Sequence, residues 1–185
     1  MTPDETLSLA REVAAALAHL EPLLIGAMAL AVHGYVRSTQ DVDFAVALPP
    51  RELAALANDL RDAGDWAVSH VAPDADDPLG GVITVARTGS LPVQIVNFDN
   101  APAGGFPALV RDARSRSLEL NDAGVPAVDA VDLILFKLYA GGPKSELDIL
   151  ELMAHTRIDV AELRRRAAVY RLADAAERVL ARVGL

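Results

Sequence analysis

The chain has 185 residues, 52% of them hydrophobic and 23% charged, the profile of one globular domain large enough to bury a core without a disulfide or a structural metal. It contains no cysteine, which excludes disulfide scaffolds, thiolate zinc sites and cysteine nucleophiles. The net charge of −9 speaks against a general nucleic-acid binder, because affinity for phosphate backbones comes from basic surface.

Thr6 to Leu20 carries apolar residues at helical spacing (Leu9, Val13, Ala16, Leu17, Leu20) after an acidic first turn, and Pro22 ends this helix. The acidic start lacks the basic and apolar regions of a signal peptide. Leu23-Leu24-Ile25 reads as a buried strand closed by Gly26 and turning into a short helix, Ala27 to His33. The apolar run from Leu23 to Val32 is broken by Gly26 and shorter than the roughly 18 residues of a membrane span, so a cytoplasmic protein with no membrane contact is expected. Asp41 to Ala47 alternates as a second strand, and Pro49-Pro50 opens a helix that runs to Gly64.

Trp66 to Val71 is a candidate strand, followed by an acidic loop from Pro73 to Pro78. Val82 to Arg87 and Val93 to Phe98 flank Thr88-Gly89-Ser90-Leu91-Pro92 as a hairpin, and Asn97 to Gly105 is loop. A short helix is expected at Ala108 to Arg114 and a short strand at Val125 to Val128. Four helices follow, Asp129 to Ala140, Ser145 to His155, Val160 to Tyr170 and Leu172 to Val183. The expected organisation is an α/β (α+β) core over residues 1–128, with a small mixed β-sheet flanked by helices, and a helical region over 129–185 packed on it. From Arg157 onward seven arginines face four acids, a local charge of +3 that reads either as a solvated helix face or as a surface for tRNA or an acidic partner.

The stretch that carries chemistry runs from Leu24 to Val46. Asp41 and Asp43 stand two apart in an extended segment, so both carboxylates leave one face. At about 7 Å such a pair repels by about 2 kcal/mol at an effective dielectric near 20, and a hydrated cation relieves the repulsion. Carboxylate oxygens supplemented by substrate phosphates suit Mg²⁺. Gly26, closing a strand and opening a helix, offers backbone N–H groups to an anion. Arg37, Ser38 and Thr39, just before the aspartates, either cap the strand or meet the phosphates. Lys144 and Asp148, four apart, read as a helix ion pair or as ligands, and His33 reads as a packing or capping residue.

Taken together, the order apolar strand, Gly26-Ala27, short helix, Gly34-Tyr35-x-Arg37-x-Thr39 and Asp41-x-Asp43 resembles the nucleotidyltransferase superfamily of DNA polymerase β type. Asp132-Leu133-Ile134-Leu135-Phe136-Lys137-Leu138, with Lys144 and Asp148-Ile149-Leu150-Glu151-Leu152, resembles the helical segment of its bacterial branch that contains abortive-infection type IV toxins. The resemblance implies the nucleotidyltransferase fold and Mg²⁺ held by Asp41 and Asp43. It implies a nucleoside triphosphate bound by Gly26, Ala27, Arg37, Ser38, Thr39, Lys137 and Lys144, and transfer of a nucleoside monophosphate to an acceptor hydroxyl on tRNA, protein or a small molecule. A cognate antitoxin protein is the partner that the toxin branch implies.

The chain departs from the pattern at two places. Ala27 stands where the family has Gly or Ser, and Gln94 stands where it has a third carboxylate, with Asp99 off the Gln94 face by alternation. Gln cannot take a proton from an acceptor, so a nucleotide-binding protein without efficient transfer is the alternative reading.

Overall fold

The computed structural model describes residues 3–74, 79–100, 106–119 and 125–185. The acidic loop expected at 73–78 and the loop expected through Gly105 fall partly outside these residues. Among the described residues, no helix is long and apolar enough to cross a membrane.

Helix α1 (Pro3–Ala16) buries Leu9 and Val13, and Leu17 just beyond it. A short turn then leads into β1 (Leu23–Ile25), α2 (Gly26–Val32) and β2 (Val42–Val46). Helix α3 (Leu53–Ala63) packs on β3 (Ala67–Val71), which continues through β4 (Val82–Ala86) into β5 (Val93–Asn97). Helices α4 (Pro107–Arg114), α5 (Ala130–Ala140), α6 (Gly142–His155), α7 (Val160–Val169) and α8 (Ala173–Arg182) complete the chain.

The five strands form one mixed sheet in the order β1-β2-β5-β4-β3. Among these described strands, β2 and β5 run parallel and the other neighbouring pairs antiparallel. Phe44, Ile95 and Ile83 are fully buried in one row of the sheet, and a contiguous apolar cluster extends from Leu9 through these strands to Leu180 in α8. The small mixed sheet with flanking helices is therefore present as expected. Helix α5 is apolar on nearly every side because it packs against α2, α6 and α7 at once.

Three local expectations are corrected. Asp41 lies one residue before β2 rather than on it. The strand expected at Val125–Val128 is reduced to bridges of Ala127 with Leu24 and Leu118, since Pro126 has no N–H to extend a ladder; its carbonyl accepts the Leu24 N–H at 2.8 Å. Helix α6 starts at Gly142, three residues before Ser145, with Pro143 in its first turn, where the missing N–H costs nothing.

Candidate functional site

The register of the sheet places Ile25, Asp43, Gln94 and Thr84 opposite one another on β1, β2, β5 and β4. Residues directly opposite in a ladder share a face, so Asp43 and Gln94 are neighbours on one side of the sheet. At the same row, Gly26 holds φ at +67°, and a Cβ built there would overlap Oδ2 of Asp43. The carboxylate thus lies against the Gly26 peptide, which only glycine permits. Ala27 is buried and contributes only its backbone to this corner.

The segment that follows α2 returns toward β2 past the same corner. Thr39 Oγ1 donates to Asp41 Oδ1 at 2.9 Å and braces that carboxylate. Arg37 turns the other way: its Nε and Nη2 donate to the two oxygens of Asp148 on α6, at 2.8 and 3.0 Å. Lys137 Nζ on α5 donates to the same carboxylate at 2.7 Å. Arg37, Ser38, Thr39, Gln40, Asp41 and Lys144 line an open cavity of about 370 Å³. The helix pair expected between Lys144 and Asp148 is not formed, because Arg37 and Lys137 occupy both Asp148 oxygens; Lys144 is exposed at the cavity instead.

Charge and burial oppose each other here. Burial, reinforced by the neighbouring Asp41 charge, pushes the Asp43 carboxyl up to about 6, although Lys137, Lys144 and Arg37 pull it down. Burial also works to raise Asp148, but its hydrogen bonds from Arg37 and Lys137 prevail and hold it below the usual carboxylate range. The strain on Asp43 is what a divalent cation would relieve. Two carboxylates with room for phosphate oxygens form a hard-donor set that fits Mg²⁺, and among the described residues no third His, Asp or Glu completes an all-protein cage.

The remaining candidates are placed differently. Asp99 follows β5 at the end away from Gln94; its N–H donates to Asn97 Oδ1, and the parallel register sets Asn97 beside Val46, three residues beyond Asp43. That separation, about 10 Å along the strand, keeps Asp99 from replacing a carboxylate at position 94. His33 is a packing residue: its Nε2 donates to the Val128 carbonyl at 2.9 Å. His155 packs on the Tyr35 ring.

A second cavity of about 540 Å³ lies across the α5–α6 turn, with Lys137, Ser145, Glu146, Arg178, Val179 and Arg182 among its lining residues. Of the cations there, Arg182 pairs with Glu146 and Lys137 with Asp148. No pattern in the sequence marks this cleft, because it depends on α8 folding back against α6.

No protein-family model matches the chain, and no curated protein matches it. Among solved structures, the chain is similar to ANT(2″)-Ia in complex with adenylyl-2″-tobramycin, at 12% identity and a TM-score of 0.53 over 90% of this chain and 97% of that one. It is similar to an antigenic nucleotidyltransferase-like protein from Paracoccidioides brasiliensis, at 17% identity and a TM-score of 0.51 over 96% and 94% of the two chains. Against terminal uridylyl transferase 4 from Trypanosoma brucei with bound GTP, 24% identical over 61% of this chain, it spans 34% of that chain at a TM-score of 0.36. The chain has the nucleotidyltransferase fold.

Proposed function

We propose that this chain is a Mg²⁺-dependent nucleotidyltransferase that moves a nucleoside monophosphate from a nucleoside triphosphate to an acceptor hydroxyl. The observation that carries the proposal is the contact of Asp43 with Gly26 at one corner of the sheet, where the neighbouring Asp41 charge and the cations of three separate segments, Arg37, Lys137 and Lys144, all act on the Asp43 carboxylate. Asp41 and Asp43 would hold the metal, which supplies charge neutralisation at the triphosphate. The Gly26 and Ala27 backbone, Ser38 and Thr39 offer donors to phosphate oxygens, and Arg37, Lys137 and Lys144 balance their charge. The acceptor hydroxyl attacks the α-phosphate in line, a P–O bond forms, the bond to pyrophosphate breaks, and the hydroxyl proton passes to solvent or a base.

The larger cavity beside Lys137 is where we place the acceptor. Arg178 on its wall, where Arg182 is already balanced by Glu146, favours a neutral or anionic acceptor over a polycation such as an aminoglycoside. The Gln94 side of Asp43 supports a second reading. With glutamine at this position the corner lacks the base that would activate an acceptor, which favours a nucleotide-binding protein with little or no transfer.

The test combines binding with turnover. Mg²⁺ with a ribonucleoside triphosphate at about 100 times its Kd is expected to stabilise the fold by about 2.7 kcal/mol, a rise in Tm of roughly 5 to 10 °C. No shift with any of the four ribonucleotides at millimolar concentrations overturns both readings. Labelled triphosphates are then assayed against tRNA, protein and small acceptors. Transfer by the wild type supports the enzyme; transfer gained only on Gln94→Asp, by about 10² to 10⁴ in rate, supports the second reading.

A further inference from the structure

Two carboxylates in the helical region are almost fully buried and each takes two cations. Asp132 on α5, fully buried, accepts Arg116 at 2.8 and 3.0 Å and lies 3.0 Å from Arg166. Asp148 on α6, 2% exposed, accepts Arg37 and Lys137. The first set ties α5 to α7 and to the segment after α4. The second ties α5 and α6 to the segment between α2 and β2, and both of its cations act on Asp43.

We propose that Asp148 is a positioning residue: it holds Arg37 and Lys137, two cations from distant parts of the chain, in the geometry that receives the polyphosphate of the nucleotide. This inference rests on the nucleotidyltransferase reading. An arginine on the segment between two elements and a lysine on a helix would each lose rotamer freedom on meeting a ligand, and they would repel each other while waiting. Asp148 removes both costs. Its two oxygens lock the Arg37 fork at Nε and Nη2 and take one Nζ proton of Lys137, and its charge leaves the trio at +1. Donors remain for the ligand: Lys137 keeps two of its three ammonium protons, and Arg37 keeps an Nη1 proton beyond the one given to the Ser38 carbonyl. Lys144, one turn before Asp148 and exposed, adds a third cation, lining the cavity of about 370 Å³ together with Arg37.

Inorganic tripolyphosphate with Mg²⁺ is the probe, since it carries the phosphates without a base or sugar. Its binding is measured by calorimetry, alongside Tm, for the wild type, Asp148→Asn and Asp132→Asn. Losing the charge-assisted hydrogen bonds at Asp148 is expected to weaken binding by about ten- to a hundredfold. Asp132→Asn, which loosens an equally buried ionic node away from the cavity, is expected to lower Tm yet leave the Kd within about twofold. Equal or tighter binding by Asp148→Asn overturns the proposal, since Asp148 would then be a counter-ion that phosphate displaces. An equal loss in Asp132→Asn also overturns it, by showing a purely structural effect. If Asp148→Asn does not fold, Arg37→Lys decides: it keeps the charge but loses the fork held by Asp148, so weakened binding supports the proposal and unchanged binding overturns it. A wild type that binds neither tripolyphosphate nor any ribonucleoside triphosphate overturns the nucleotidyltransferase reading itself.

Discussion

Gly26 and Asp43 are one structural unit although 17 positions separate them. The +67° φ at Gly26 and the absence of a Cβ let the Asp43 carboxylate rest on the peptide where β1 turns into α2. Replacing Gly26 by Ala is expected to cost about 1 to 3 kcal/mol for the left-handed backbone alone. The methyl group would also drive the carboxylate out of its place. We therefore expect the Gly26→Ala protein to melt lower and to lose the Mg²⁺-dependent nucleotide shift. Combining it with Asp43→Ala should recover the steric part of the loss but not the backbone part, so the two costs will be less than additive in urea unfolding. Full additivity would mean that the two residues do not meet. The glycine was legible because strand, Gly and helix follow in order, and the carboxylates because Asp-x-Asp sits in an extended segment. The contact between them was not, since it needs the antiparallel register of β1 on β2.

At the scale of elements, periodicity located helices such as α1 and α3, because each buries a stripe at a spacing that a single chain displays, whereas α2 was read from the glycine that closes β1. What holds the elements to one another was far less visible. Asn97, at the end of β5 and fully buried, accepts from the Leu48 N–H at 3.1 Å and the Asp99 N–H at 3.1 Å, and donates to the Leu48 and Gly80 carbonyls at 2.9 and 3.2 Å. One amide thus fastens three chain segments where they leave the sheet. Asp132 and Asp148 do the same between helices and the segments that carry Arg116 and Arg37. Such bonds span up to 111 positions and have no local pattern, so the sequence could mark Arg37 and Asp148 separately without showing that they pair. Asn97→Leu conserves volume but leaves the Leu48 and Asp99 N–H groups without their acceptor, at about 1 to 3 kcal/mol for each buried group. The expected result is a fall in the urea midpoint, with an unchanged m-value, equivalent to about 2 kcal/mol or more; a loss below 0.5 kcal/mol would show that water replaces the amide.

Across the whole molecule, the basic C-terminal helices pair with one another and, through Arg166 and Arg182, with acids of the preceding elements. Arg164 pairs with Glu177 and Arg165 with Glu162, while Arg166 reaches Glu162, Asp129 and Asp132 and Arg182 reaches Glu146. Two charges of the local +3 excess, Arg166 and Arg182, are therefore committed to acids of the preceding elements. This arrangement and the corner at Asp43 act in opposite directions on stability as pH changes. Hydrogen bonds from Arg165 and Arg166 lower Glu162 to about 2, and Asp148 is lowered as well, so their stabilisation is present above the unfolded value near 4 and lost as pH falls toward 2. Asp43 is raised by burial and by Asp41 to about 6, so the native state holds its proton more tightly than the unfolded chain does. Its contribution is full below about pH 4 and is lost as pH rises through 6, a decline of up to about 3 kcal/mol. The apo protein is accordingly expected to be most stable near pH 4 to 5 and to weaken toward pH 7, as read from urea midpoints at unit intervals of pH. Asp43→Asn should abolish that decline while leaving the acid limb unchanged. Mg²⁺ with nucleotide should flatten it, because the ligated state favours the ionised carboxylate. A wild-type curve that is level or rising between pH 5 and 7, and parallel to that of Asp43→Asn, would show that the carboxylate is solvated and carries no strain for a cation to relieve.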